Sequence, residues 1–141
     1  MQTETINTIF GTMIITSDAN RLVEINFSGE KSTSKQIEDI YQYLRHKYLP
    51  INVDQIEGTD FQKKVWLEVL KIPYGDKKTY QEIAERIGHK QSYRAVANAC
   101  GKNNLALAIP CHRVVSKNKK DIRGYKWGIA LKKRLLDHEN K

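Results

Sequence analysis

The stretch Ile109-Pro110-Cys111-His112-Arg113-Val114-Val115 sets a thiol beside an imidazole, directly after a proline. Thiolate is a soft nucleophile suited to in-line attack on an sp³ carbon. A free cysteine titrates near ~8.5, so only a few per cent is ionised at neutral pH and a proton acceptor such as His112 would matter. The rival reading is a small buried core cysteine with a histidine beside it by chance, and taken alone the two residues fit that reading better. Cys100 is the only other cysteine; it follows Val96 by one helical turn and reads as core. No C-x-x-C or similar spacing is present, so a structural zinc site is not expected.

The elements that would position Cys111 follow from patterning. "TIFGTMIIT" and "RLVEINFS" read as strands joined by Ser17-Asp18-Ala19-Asn20. In the second, Val23, Ile25 and Phe27 alternate with polar residues, the period of a half-buried strand. A helix follows, with Ile37, Ile40, Tyr41, Leu44 and Tyr48 on one face and Thr33 with Gln36 as a capping box. Pro50 ends it, and "INV" is read as a short returning strand. Thr59 and Gln62 cap a helix carrying Phe61, Val65, Trp66, Val69 and Leu70 inward. Pro73-Tyr74-Gly75-Asp76 is a turn, and Thr79 with Glu82 opens a short helix stopped by Gly88. Ser92 starts a second short helix that ends at Gly101, and a last one runs from about Gly128 to His138. The expected class is α+β: a small N-terminal sheet-and-helix subdomain (1–55), then a helical domain (56–141) containing a helix-turn-helix.

Across 141 residues, 24 Lys and Arg stand against 16 Asp and Glu, a net charge of +8. That excess suits a polyanion, with nucleic acid ahead of an anionic membrane surface. The apolar runs are too short to span a bilayer, and the N-terminus lacks the basic and apolar regions of a signal peptide, so the cytoplasm is the expected compartment, or the nucleus in a eukaryote. Ala95, Ala97, Ala99 and Gly101 make the second short helix slim enough for close approach to a groove or a neighbouring helix, with Arg94 its one long cation.

Seven ordered segments, "FQKKVW", "IPYG", "TYQEIAERIG", "RAVANACGKN", "IPCHRVV", "GYKWG" and "LLDHE", resemble the 6-O-alkylguanine-DNA alkyltransferases, or methylated-DNA-protein-cysteine methyltransferases. "GYKWG" and "NAC" look closest to the C-terminal domain of bacterial adaptive-response members. The resemblance covers about Thr59 to Glu139 and is only loose before it. It implies a repair protein that flips 6-O-alkylguanine, mainly the methyl form, out of duplex DNA. The alkyl group then passes irreversibly to Cys111, once per molecule and with no cofactor, the protein being a monomer with no membrane involved. By the same resemblance, His112 and Glu139 complete a proton chain that reaches Cys111 through a water, and Asn103 orders the active-site turn. Tyr80 rotates the nucleotide and donates to the purine, and Arg94 fills the gap left in the duplex. Ala95, Ala97, Lys102 and Arg113 are carried over as DNA contacts. Val114, Tyr125, Lys126 and Trp127 line the base pocket, with the Cys111 and Val114 carbonyls reading the guanine amino group and the Lys126 amide facing the 6-oxygen.

Four positions depart from the family pattern. His89-Lys90-Gln91 lacks the turn proline, which would leave entry to the second helix less rigid. Tyr93 is large where family members usually carry a small residue, Asn104 stands where many have proline, and Trp127 occupies a position that is often glycine, which would favour methyl over bulky adducts. Two other functions stay open: a helix-turn-helix regulator without alkyl transfer, for which Cys111 is dispensable, and a cysteine hydrolase, which would turn over.

Overall fold

The computed structural model describes residues 1–8, 10–19, 21–28, 37–48, 51–117 and 125–140. The chain divides into two compact units, Met1–Asn52 with Asn104–Ala108, and Val53–Asn103 with Ile109–Lys141. The class is α+β, with a small antiparallel sheet and five helices among the described residues.

In the first unit, β1 (Gln2–Thr8), β2 (Gly11–Asp18) and β3 (Arg21–Ser28) pair in the order β1-β2-β3. "TIFGTMIIT", expected as one strand, instead contains a hairpin turn. Thr8 ends β1 and donates through Oγ1 to the Gly11 carbonyl (2.7 Å). Gly11 takes φ +121°, which suits a residue without Cβ. The alternation in β3 also breaks. Thr16 pairs with Glu24 but Ser17 with Leu22, so Val23 is the extra residue of a bulge. Leu22 and Ile25 then point inward while Val23 is exposed. The chain returns to β3 at Ile25, whose N–H donates to the Asn104 carbonyl (2.8 Å). Helix α1 (Ile37–Tyr48) buries Ile40, Leu44 and Tyr48 as its periodicity predicts. The Tyr43 and Tyr48 hydroxyls both donate to Glu4 and tie α1 to β1. Thr33, Gln36 and Pro50 lie outside the described residues.

In the second unit "INV" forms no strand; Val53 opens a 3-10 turn ending at Gln55. Helix α2 (Asp60–Leu70) starts from a complete Thr59/Gln62 capping box. Trp66 is buried on it, and its Nε1–H donates to the Ala99 carbonyl of α4 (2.9 Å). A Cβ on Gly58 would come within 2.7 Å of the Trp66 ring. Because that ring is pinned by its hydrogen bond, Gly58→Ala is expected to destabilise by about 1–3 kcal/mol. Thermal denaturation checks this, and an unchanged Tm defeats it.

Helix α3 (Tyr80–Arg86) starts from the Thr79/Glu82 box, and Gly88 ends the pattern in the left-handed region at φ +81°. Helix α4 (Tyr93–Gly101) follows after a turn in which the Ser92 N–H donates to His89 O (2.8 Å). In place of a proline, the Gln81 side chain braces that turn by donating to the Lys90 carbonyl (2.8 Å). Two-residue strands β4 (Lys78–Thr79) and β5 (Val114–Val115) pair in parallel. Helix α5 (Ile129–Glu139) closes the chain, with Leu131 and Leu135 buried.

Candidate active site

Cys111 opens a 3-10 turn, Cys111–Arg113, which β5 follows directly. Pro110 precedes that turn, and the Cys111 N–H folds back to the Ile109 carbonyl (2.7 Å). Asn103 braces it: buried after the end of α4, it donates through Nδ2 to the Ile109 carbonyl (2.9 Å). Burial pushes the Cys111 thiol well above the ordinary cysteine value. A hydrogen bond with Cys100 adds to the rise, and Asn103 and Lys132 oppose it. The thiol is therefore protonated at neutral pH and needs a base.

His112 is the next residue in the same 3-10 turn. Its ring is fully buried, and Nε2 lies 2.6 Å from Glu139 Oε2. Burial holds the imidazole below its ordinary value, partly offset by Glu139, so it is neutral and able to accept a proton. An ionised carboxylate only accepts hydrogen bonds, so Nε2 carries the proton and Nδ1 keeps the lone pair. Glu139 stays ionised: burial alone would raise it, but hydrogen bonds from His112 and Arg113 bring it down to about 2. Its place in the last turn of α5 is buried, not frayed.

Arg113, expected as a DNA contact, is placed elsewhere. It is buried, donating through Nε to Glu139 Oε1 (2.7 Å), through Nη2 to Oε2 (3.1 Å) and through Nη1 to the Ile72 carbonyl (2.8 Å). A charged side chain buried this way needs its counter-ion, so Arg113 clamps Glu139 from inside.

Tyr80 is buried at the start of α3. Its neighbour Lys132 was not among the residues singled out from the sequence. That lysine is 0 % exposed, donates to the Val114 carbonyl (2.6 Å) and sits 3.5 Å from the Tyr80 hydroxyl. The Val114 carbonyl keeps a second lone pair. Tyr125 is buried with its ring edge-on to His112 (centroids 6.2 Å) and tilted against the half-buried Trp127 (5.2 Å). Lys126 is exposed, its ammonium 5.4 Å from the Trp127 ring centre.

A cavity of about 590 Å³ is lined by Tyr80 of α3 and by Tyr93, Arg94 and Ala97 of α4. Gln81, Ser116 and Lys117, not anticipated, complete it. Arg94 is exposed, with its guanidinium 5.8 Å from the Tyr93 ring centre. Ala95 and Lys102 are also exposed. No helix among the described residues is long and apolar enough to cross a membrane.

The family model described as "6-O-methylguanine DNA methyltransferase, DNA binding domain" matches residues 60–141. A probable methylated-DNA–protein-cysteine methyltransferase of Acanthamoeba polyphaga mimivirus is 39% identical, covering 100% of this chain and 98% of its own length. The methylated-DNA–protein-cysteine methyltransferase of Saccharomyces cerevisiae (strain YJM789) is 52% identical over 74% of this chain, which spans 57% of that protein. Among solved structures, Mycobacterium tuberculosis OGT in complex with DNA superposes with a TM-score of 0.77 at 31% identity, covering 96% of this chain and 91% of that one. On these matches, and with the buried thiol, imidazole and carboxylate arrayed as they are, the chain belongs to the 6-O-methylguanine DNA methyltransferase family.

Proposed function

We propose that this protein repairs double-stranded DNA as a monomer by transferring the alkyl group of 6-O-alkylguanine, mainly methyl, to Cys111. The observation that carries the assignment of residues is the buried hydrogen bond of His112 Nε2 to Glu139 beside the Cys111 thiol. His112 takes up the Cys111 proton through a water, and Glu139 holds the imidazole in the tautomer that can do so. The sulfur attacks the alkyl carbon in line; the S–C bond forms as the C–O bond to guanine breaks. Negative charge develops on guanine, and the Tyr80 hydroxyl donates to it, held in place by Lys132. The product is a thioether, which none of these groups can hydrolyse, so each molecule acts once.

The base must leave the stack to meet Cys111, at a cost of a few kcal/mol. Helices α3 and α4 act as a helix-turn-helix, α4 presents its slim alanine face to the groove, and Arg94 enters the vacated stack. Tyr93, exposed beside Arg94, supports the arginine by cation–π contact. Lys102 and Lys117 face phosphates. The proposed compartment is wherever the genome lies: cytoplasm, or nucleus in a eukaryote.

The test is incubation with methylated duplex followed by intact mass and peptide mapping. One methyl group on Cys111, absent in Cys111→Ser, is the expected result. Retained DNA binding with no added mass would replace this reading with a regulator, and multiple turnover with a hydrolase. In the same assay the benzyl adduct is expected to react more slowly than methyl, because Trp127 narrows the pocket against Tyr125; equal second-order rates defeat that expectation.

A further inference from the structure

Tyr125 contributes more than a wall to the site. Its side chain is 9 % exposed, and its hydroxyl is buried with no hydrogen-bond partner among the described residues. Buried hydroxyls in native proteins are satisfied by protein or by ordered water. The ring is held from two sides, edge-on to His112 at 6.2 Å and tilted against Trp127 at 5.2 Å. The hydroxyl therefore has a fixed position in the wall beside His112.

We propose that the Tyr125 hydroxyl positions the water already read as the link between Cys111 and His112 in the proton chain, which makes Tyr125 a positioning residue for alkyl transfer. This rests on the reading of Cys111 as acceptor. An ordered buried water needs two to four polar partners, and Tyr125 Oη, His112 Nδ1 and Cys111 Sγ supply three. The thiol gives its proton to the water, which passes one of its own to Nδ1. Thiolate and imidazolium result and the water is unchanged. Tyr125 keeps its own proton throughout and donates to the water oxygen. Burial, with the charges of Cys111 and Glu139 adding to it, pushes that phenol well above its ordinary value and so preserves the donor.

The thiol's ionisation is set by every charged or titratable group around it. Cys100 and Asn103 lie at and just after the end of α4, Lys132 on α5, and His112 next in sequence, itself facing Glu139, Arg113 and Lys132. Tyr125→Phe leaves all of these in place and removes one oxygen. Three readouts on wild type and Y125F decide the matter: single-turnover methyl transfer from duplex DNA across the neutral and alkaline range, iodoacetamide alkylation of Cys111 over the same range, and Tm.

The expected result is transfer slowed roughly tenfold at neutral pH. Iodoacetamide should be slowed in parallel, with the alkaline limb of both profiles displaced upward by about one unit. Tm should be unchanged or lower. If the hydroxyl is instead idle, Phe removes an unsatisfied buried group. Transfer then stays within twofold and Tm rises by about 2–4 °C, and the proposal is overturned. A uniform loss of rate with the limb unmoved overturns it too, because it assigns Tyr125 to packing. Should Y125F be too unstable for transfer assays, iodoacetamide at low temperature still reads the limb. If wild type gains no methyl on Cys111, the functional reading beneath has failed; a wild type that does react, with Y125F alike, sinks only the role of Tyr125.

Discussion

Glu139→Gln is expected to cost both stability and transfer, and the two losses are separable. The wild-type carboxylate accepts from His112 Nε2 on one oxygen and from Arg113 on both. Glutamine has nearly the same shape but no charge, so the buried Arg113 guanidinium loses its counter-ion. Breaking a buried pair from one side destabilises by about 3–5 kcal/mol. The amide can also donate to Nε2 and force the imidazole proton onto Nδ1, the nitrogen that must accept from the thiol. Methyl transfer should fall by roughly 10²–10⁴-fold. Adding Arg113→Met should restore much of the Tm while leaving transfer slow, since the stranded charge is gone but the tautomer is still wrong. Transfer recovering together with Tm would mean that Glu139 acts only through stability.

The same carboxylate makes acid the weak side of the protein. Its native value of about 2 lies below the ordinary 4.5, so the unfolded chain binds protons more readily. The stabilisation is whole above pH 4.5 and is lost as pH falls from there toward 2, about 3 kcal/mol in all. His112 works in the same direction from higher pH. Its native value is below 6.5, so its contribution declines once pH falls beneath 6.5. A Tm series in pH should slope gently below 6.5 and steeply below 4.5, and Glu139→Gln should lack the steep limb.

Elements written by local chemistry could be read from the sequence. The Thr59/Gln62 and Thr79/Glu82 boxes start their helices where the spacing places them, because a cap is a contact within four residues. Strand β1 was not legible. Gln2–Thr8 is mostly polar and buries only Ile6 and Thr8, since it lies at the sheet edge. The bulge at Val23 likewise reflects pairing with β2, which no single strand encodes. At the site, the adjacent Cys111 and His112 were legible as a motif. Arg113 was not legible as an internal clamp, because its partners Glu139 and Ile72 are brought to it by α5 and by the turn after α2. Cys100 was read correctly as buried, but its contact with the Cys111 thiol arises from the fold of the turn between them. Lys132 left a trace that was available. Lys132, Leu135 and Glu139 fall three and four residues apart, on one face of α5. A lysine in that register between apolar partners is either buried with a purpose or misplaced.

That purpose makes Lys132→Met the second large effect. The ammonium is fully buried and bonds the Val114 carbonyl at 2.6 Å, with the Tyr80 hydroxyl at 3.5 Å and the Tyr80 ring centre at 5.7 Å. Occupying the lone pair of the Tyr80 oxygen aims its O–H away from Lys132, toward an acceptor on the base. Methionine fills a similar volume without the charge. Replacing a buried ammonium by an apolar group recovers its desolvation cost, while the Val114 carbonyl loses a partner worth about 1–3 kcal/mol. The two nearly offset, so Tm should move little. Transfer from methylated duplex should nonetheless slow by about 10²-fold, the typical worth of a positioned acid. Iodoacetamide distinguishes this from a general loss of thiol reactivity. Its iodide leaves without a proton, so Lys132→Met should slow that alkylation far less than it slows transfer. The small residual slowing comes from the Lys132 charge, which favours the Cys111 thiolate. Equal deficits with both reagents would move Lys132 from the leaving group to the nucleophile, and a transfer rate within twofold of wild type would remove it from the reaction altogether.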